Sequence, residues 1–247
     1  MPIPETQPTV APGAATYGAR KVALERELLA LGDRLPVTLL RAGAIHGPHG
    51  RAPRELYFVR RNLDGRRTRV LAHGGRSRFH PVSVYTLADL VRRAAARPRS
   101  RVLNTGDPEA PTVAEIGAAV DAVMGVETET VLLEGGPRGN VGLTPWSARH
   151  PVVYDMTAAE RELGHRPPLS YREALTETVG CLVERLTEAG DRRETFPKIA
   201  ARGDSGVGFF DYAAEDAWPA RRERLTPGRA APRPVSCAPG GRPGRRR

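Results

Sequence analysis

Apolar positions recur in short stretches of helical or strand length, separated by glycine, proline and charged residues. From Tyr17 to Leu31, Leu24, Leu28 and Leu31 share one face of a predicted helix, and Gly32 marks its end. Pro36 gives way to residues 37–41, a β-rich run suited to a buried parallel strand. The pattern then predicts helices over 54–63 and 86–96, and strands at 70–72, 101–104 and 130–133. Thr112 and Glu115 form a capping-box pattern before a helix carrying Ile116, Ala119, Val120 and Val123. The same pattern recurs at Thr157/Glu160 and at Ser170/Glu173, with Pro167-Pro168 between those two helices. The last of these helices is the clearest, with Tyr171, Leu175, Val179, Leu182 and Leu186 on one stripe. Residues 189–217 are weakly patterned, with Phe209-Phe210-Asp211-Tyr212 reading as a small docking segment. No internal repeat is present, and the mixture of helices and short strands predicts an α/β fold.

At 247 residues and 40% hydrophobic, the chain can bury one sizeable core or two small ones. Its net charge of +10 raises the question of a nucleic-acid partner until the charge is located. Nine arginines and one Glu between Pro219 and Arg247 supply +8 of it, leaving +2 for everything else. That stretch, rich in Pro-Gly pairs and poor in apolar residues, is expected to be a disordered tail. It reads either as a nonspecific anion-binding arm or as a solvated extension, and the near-neutral body argues against a nucleic-acid binder. Cys181 and Cys237 make no disulfide framework, so a cytoplasmic, reducing location is expected. No basic-then-apolar signal segment follows Met1, and no apolar run approaches bilayer-spanning length.

The sharpest chemical signal is Tyr17 and Lys21, four residues apart at the head of the first predicted helix. Lys21 and Lys198 are the only lysines in a chain whose other basic residues are nearly all arginine. A position that keeps Lys in such a chain is a candidate for needing a compact ammonium. On a helix the two residues share a face, and a cation one turn away favours the phenolate that a general acid/base uses. The plain alternative is an ordinary surface helix with a half-buried Tyr and a solvated Lys.

The residues downstream give this pair its context. Tyr17, Lys21, Leu24 and Glu25 lead to Val37-Thr38-Leu39-Leu40-Arg41 and Gly43-Ala44-Ile45-His46-Gly47-Pro48. Phe79-His80-Pro81-Val82-Ser83-Val84, Val102-Leu103-Asn104-Thr105-Gly106-Asp107, Pro111-Thr112-Val113-Ala114-Glu115-Ile116 and the stretch from Asp155 to Tyr171 come after in order. This ordered set resembles the extended short-chain dehydrogenase/reductases, the NAD(P)-dependent epimerase/dehydratase family, over residues 4–187. The resemblance implies a partial Rossmann-like parallel sheet with a small mixed α/β substrate lobe, and NAD or NADP as cofactor. It implies that Tyr17 moves a proton at a substrate hydroxyl or carbonyl while Lys21 lowers the Tyr17 pKa and bonds the nicotinamide ribose. Gly43, Ala44, Ile45 and His46 would approach the cofactor, and His46, Arg54 and Arg78 the substrate, a small molecule of sugar-nucleotide-like kind. Ala42 stands where Pro is usual in that family, His46 where Tyr is usual and Thr86 where Asp is common, which leaves the subfamily open.

The resemblance also marks what the sequence lacks. A strand, a Gly-x-x-Gly-x-x-Gly turn and a helix would lie upstream of Tyr17, because glycines let backbone N–H groups reach a pyrophosphate. Met1 stands only sixteen residues before Tyr17, so the chain reads as a C-terminal portion. The Ser or Thr that partners the Tyr would fall upstream as well, and Thr6 sits in a predicted loop. Gly136-Pro137-Arg138-Gly139-Asn140-Val141-Gly142 fits the glycine pattern, but Pro145 follows where a helix should open, so it reads as a surface loop. His46 and His49 have a His-x-x-His spacing, yet no third ligand is apparent and no metal site is expected. Arg54, Arg60, Arg61, Arg66 and Arg67 either meet an anion or form a solvated helix face, the latter being the expectation.

The expected organisation is a Rossmann-like remnant with interleaved lobe segments over 1–110, a mainly substrate-binding lobe over 111–190, and a weakly structured to disordered tail over 191–247. The function implied is an epimerase/dehydratase or reductase, with doubtful activity for this chain alone. A non-catalytic module that binds a partner, and an Arg-tailed nucleic-acid binder, are the alternatives. Apolar positions such as Leu24, Leu28 and Leu39 are expected to lack part of their cover, which promotes oligomers.

Overall fold

In a computed structural model, which describes residues 1–32, 34–188, 195–199 and 208–218, local signals account for most helix starts. Helix α1 (Tyr17–Leu29) opens under Thr16, whose Oγ1 accepts the Ala19 N–H at 3.1 Å. Strands β1 (Thr38–Ala42) and β2 (Ala44–His46) precede α2 (Leu56–Leu63), β3 (Thr68–Leu71) and β4 (Pro81–Ser83). Helix α3 (Val84–Ala96) starts at Ser83, whose hydroxyl oxygen accepts the Thr86 N–H at 3.0 Å. Strand β5 (Arg101–Thr105), helix α4 (Val113–Met124) and strand β6 (Glu129–Leu132) come next. The capping box of α4 is made in full between Thr112 and Glu115. At α6 (Tyr171–Glu188) the Glu173 carboxylate accepts the Ser170 N–H at 2.7 Å, as the spacing predicted. At α5 (Thr157–Leu163) the expected Thr157/Glu160 box is not made. Asp155 takes the role instead, accepting the Thr157 N–H at 2.9 Å from two residues earlier. A short helix, α7 (Tyr212–Asp216), ends the series.

All strand pairing is parallel: β1 with β5, β2 with β4, and β3 with β6. Thr38 stands opposite Arg101 and Ala42 opposite Thr105, so both strands of that pair end at one level. Helical connections between parallel strands make this an α/β fold with a Rossmann-like character. Ala44–His46, outside every strand that the pattern predicts, is a strand. Three residues carry too little pattern to read as one, and parallel pairing to 81–83 makes it so. Helix α1 stops two residues short of Leu31 and buries Ala19 and Val22, while Leu24 of the expected stripe is 50% exposed.

Two apolar clusters form. The smaller packs Leu90 of α3, Leu103 of β5 and Ala159 and Leu163 of α5 together, with Leu40 of β1 beside them. The larger lies among α2, α4 and α6 and takes in Trp146, Phe196 and Phe209. Phe196 and Phe209 come from the weakly patterned 189–217 stretch and are 2% and 8% exposed, so its described parts complete a core. The docking segment holds as read. Arg61 donates to the Phe209 carbonyl at 2.8 Å, and the Tyr212 hydroxyl donates to Asp64 at 2.8 Å. Residues Met1–Asp216 form one unit. The tail from Pro219 to Arg247, with Cys237, lies outside the described residues. Among the described residues no helix is long and apolar enough to cross a membrane.

Candidate active site

Tyr17 and Lys21 occupy the first two turns of α1. The Lys21 ammonium lies over the Tyr17 ring, 5.6 Å from its centroid. Tyr17 is 70% exposed and Lys21 is exposed as well. Among the described residues neither makes a hydrogen bond, so both polar ends face outward. The helix that carries them is fixed one turn further on. Arg41 of β1 grips Glu25 of α1 through two N–H groups, at 3.0 and 2.7 Å, and gives a third to the Glu5 carbonyl at 3.0 Å. Glu5 in turn accepts the Asn104 N–H at 2.8 Å, and Asn104 Nδ2 donates to the Ile3 and Asp155 carbonyls. The segment 3–5, β1, β5 and α1 thereby share one hydrogen-bonded frame. Thr6 lies in the turn after it and is exposed.

In the segment 43–46, Ala44 and His46 are turned inward. Gly43 has no room for a side chain, since a Cβ there would lie 2.2 Å from the His80 carbonyl oxygen. Gly106 is equally required, because its Cβ would meet His80 Nε2 at 2.5 Å. His80 accepts the Tyr154 N–H at Nδ1 (3.0 Å), so its proton sits on Nε2 and goes to the Asp107 carbonyl at 2.8 Å. Burial lowers the His80 pKa against the pull of that bond, which keeps the ring neutral. Ala44 and His46 are buried, while Ile45 is 53% exposed. His46 donates through Nε2 to Asp107 and sets its ring 4.8 Å from that of Tyr171, at 60°. The Tyr171 hydroxyl donates to Glu55 at 3.2 Å, and burial together with Glu55 drives its pKa well above the usual value. Among the described residues, His46 Nδ1 and Glu55 Oε2 are buried without partners.

Arg54 and Arg78 are both partly buried. Arg54 donates to the Pro145 carbonyl at 2.5 Å and lies over the Phe79 ring, and Arg78 donates to the Ala110 carbonyl. Arg78 lines a cavity of ≈ 500 Å³ with Glu109, Glu115, Tyr171 and Arg172, and a separate cavity of ≈ 780 Å³ is lined by His73, Arg76, Ser77, Glu134 and Arg149 among others. Of the remaining arginines only Arg67 is exposed, and the solvated helix face that was expected is otherwise not formed. Arg61 is 3% exposed and bidentate to Glu215, Arg66 pairs with Asp216, and Arg60 stacks on Phe210. Their partners lie some 150 residues away, beyond the reach of a local pattern.

Lys21 and Ile45 are both exposed. Among the described residues no glycine-rich turn opens a helix, and the 136–142 loop closes on itself through Arg138 and Val141 and leads into a turn held by Thr144 and Ser147. His46 and His49 do not converge: His46 faces Asp107, and His49 donates its N–H to Cys181 Sγ at 3.3 Å. Among the described residues no group of His, Cys, Asp or Glu is arranged to hold a metal ion. Sequence reasoning missed Asp107, Asn104 and Glu55 as organisers. The first two sit in a quoted motif, but nothing local reveals what their side chains reach.

No protein-family model matches the chain, and no curated protein matches it. Solved structures do. A UDP-glucose 4-epimerase from Thermotoga maritima with UDP-glucose is similar at 24% identity and TM-score 0.60, over 75% of this chain and 58% of that one. A UDP-N-acetylglucosamine 4-epimerase from Methanobrevibacter ruminantium M1 in complex with UDP-N-acetylmuramic acid is similar at 18% and 0.61, over 75% and 58%. A dTDP-glucose 4,6-dehydratase from Bacillus anthracis str. Ames in complex with NAD is similar at 19% and 0.57, over 76% and 58%. The chain shares their fold and spans less than two thirds of their length.

Proposed function

We propose that this chain carries the proton-transfer pair and the substrate lobe of an NAD(P)-dependent epimerase, dehydratase or reductase acting on a sugar nucleotide. The observation that carries this reading is the Tyr17/Lys21 pair, one turn apart and exposed, with the ammonium 5.6 Å from the ring centroid. Tyr17 takes a proton from a substrate hydroxyl, or returns one to a carbonyl, through its phenol oxygen. The Lys21 ammonium stabilises the phenolate form, which accepts the proton in the first direction and is left behind in the second, and can donate to a ribose hydroxyl. NAD(P), when bound, supplies hydride acceptance and return. The Glu25–Arg41 link keeps α1 at a fixed place on β1, which proton transfer requires.

The substrate class draws on the ≈ 780 Å³ cavity, which accommodates a ligand of nucleotide size. Glu134 lines it too and pairs with Arg76 at 3.1 Å, which leaves Arg149 and His73 to meet a diphosphate. The solved relatives in fold carry UDP- and dTDP-sugar names, which favours the same class here. A non-catalytic, partner-binding reading draws on β1. Its described pairing is to β5 alone, and all five of its residues are only partly buried.

Calorimetry on the 247-residue protein with UDP-glucose, dTDP-glucose and NAD⁺ separates these readings. Saturable sugar-nucleotide binding that weakens in Arg149→Ala is expected, with no appreciable NAD⁺ binding, since no glycine-rich turn opens a helix among the described residues. Failure of every sugar nucleotide to bind at millimolar concentration would remove the substrate reading and leave the partner-binding one. Tight NAD⁺ binding would overturn the account of the cofactor and bring the 136–142 loop back into it.

A further inference from the structure

A second cavity, of ≈ 290 Å³, is walled on one side by Arg54 and Tyr57 and on the other by Lys198, Ile199, Phe209 and Phe210. Tyr17 and Lys21 are not among its lining residues, and the second wall lies beyond residues 4–187, over which the motif resemblance runs. The walls are preformed. Phe209 is held by the Arg61 hydrogen bond to its carbonyl, and Phe210 lies beneath the Arg60 guanidinium at 4.1 Å. Arg54 is oriented by the Pro145 carbonyl and the Phe79 ring, 4.6 Å away. Lys198, the chain's second lysine, is exposed and makes no hydrogen bond among the described residues.

Three features define what such a cavity accepts. Its volume lies at the lower end of small-molecule sites, which run from about 300 to 1,000 Å³, so it takes a single ring and not a sugar nucleotide. Its aromatic and aliphatic walls favour a flat apolar body. Arg54 and Lys198 bring two cations to the same space, which favours one anionic group. Tyr57 is 1% exposed, and its hydroxyl is buried without a partner among the described residues. Burial pushes its pKa up to about 12, so it remains a hydrogen-bond donor at neutral pH.

We propose that this cavity is a binding site for a small single-ring aromatic anion, its ring against Phe209, Phe210 and Ile199 and its carboxylate or phosphate toward Arg54 and Lys198. The site goes beyond the proposed catalytic function and does not depend on it. Ligand-observed NMR and thermal shift on the full chain test it, with phenylacetate and phenyl phosphate as anionic probes, 2-phenylethanol as the neutral one and inorganic phosphate as the head group alone. Saturable binding of an anionic probe is expected, about tenfold tighter than the alcohol and than phosphate alone. Lys198→Ala should weaken it about five- to tenfold without changing stability, since that side chain is exposed. Ile199→Trp should abolish it by filling the cavity. The tighter of the two anionic probes identifies the head group, and either one binding in this pattern supports the site. Equal binding of the alcohol, an unchanged affinity in Lys198→Ala, or no binding of either anion at about 10 mM would overturn the proposal. Tyr17→Phe should leave this binding unchanged, so its failure is separable from failure of the catalytic reading.

Discussion

His46 and Asp107 meet inside the protein, Nε2–H to Oδ2 at 2.6 Å, with their side chains 1% and 0% exposed. The other carboxylate oxygen accepts the Ser83 N–H at 2.8 Å and the Thr86 hydroxyl at 3.0 Å. One buried side chain thus joins the end of β2, the cap of α3 and the loop leaving β5. In open α/β sheets that level is where ligands bind. Here much of its polar capacity holds the strand ends in register.

Removing that carboxylate should therefore be felt as stability. Asp107→Ala leaves a buried imidazole N–H, a backbone N–H and a hydroxyl without their acceptor, and should cost about 3–5 kcal/mol. Urea denaturation checks it. An unchanged midpoint would mean that the network is idle.

Asp89 makes a prediction about acid. Burial raises its pKa, but hydrogen bonds from Arg93 (2.5 Å), Arg92 (2.8 Å) and His165 (2.9 Å) outweigh that and hold it well below the ordinary 3.8. A carboxyl with a depressed folded pKa binds fewer protons folded than unfolded. Its contribution is complete above about pH 5 and is lost as pH falls below about 4 toward the folded value. Asp89→Asn should lower stability at neutral pH and flatten the acid limb below about pH 4 in part. Part of the limb remains, because Glu115, Asp155, Glu173 and Asp211 are shifted in the same direction. An acid limb identical to wild type would contradict the assignment.

Those shifted carboxylates also show which parts of the fold can be read from the sequence. Glu115 and Glu173 act within three residues of their partners, so the starts of α4 and α6 are written locally. Tyr17 and Lys21 are legible for the same reason, four residues being one helical turn. Strand β2 is not, because Ala44-Ile45-His46 becomes a strand only through the pairing of Ile45 with Val82 and its neighbours. Arg61 reads as a surface charge until Glu215, 154 residues on, reaches it. Phe196 and Phe209 are core residues in a stretch without periodicity, because their burial is set by α2, α4 and α6 and not by their own neighbours.

The Arg61–Glu215 pair gives a contrast between two bridges from α2 and its exit turn to the same C-terminal segment. Both side chains are 3–4% exposed, so Glu215→Ala leaves a guanidinium buried and should cost about 3–5 kcal/mol. Arg66–Asp216 is equally short at 2.6 Å, but Asp216 is 47% exposed, and Asp216→Ala should cost under about 1 kcal/mol. Equal effects in thermal or urea unfolding would reject burial as the controlling variable.

Association should be measurable too. Leu24 is 50% exposed, Leu35 55% and Ile45 53%, and β1 is only partly covered. Apolar surface of this kind promotes self-association, so size-exclusion chromatography with light scattering should show mass rising with concentration. Leu24→Lys with Leu35→Glu should reduce it. A monodisperse monomer for the unaltered chain would contradict this expectation.

The decisive prediction concerns Tyr17 and Lys21 in an assembly competent for turnover. Because Tyr17 is 70% exposed and makes no hydrogen bond among the described residues, Tyr17→Phe should change stability by no more than about 0.5 kcal/mol. If the phenol moves the proton, the same substitution should reduce kcat by roughly 10²–10⁴ while leaving cofactor affinity nearly intact. Lys21→Arg should also be harmful, since a planar guanidinium cannot reproduce a compact ammonium beside both the phenol and a ribose hydroxyl. Lys21→Met should weaken cofactor binding as well, having lost charge and donors together. A surface pair with no catalytic role predicts the opposite on each count: near-wild-type turnover in Tyr17→Phe and tolerance of Arg at position 21. Wild-type kcat in either variant would return Tyr17 and Lys21 to the reading of a tyrosine and a lysine on an ordinary helix. The unchanged stability of Tyr17→Phe ensures that a loss of rate cannot be mistaken for a loss of fold.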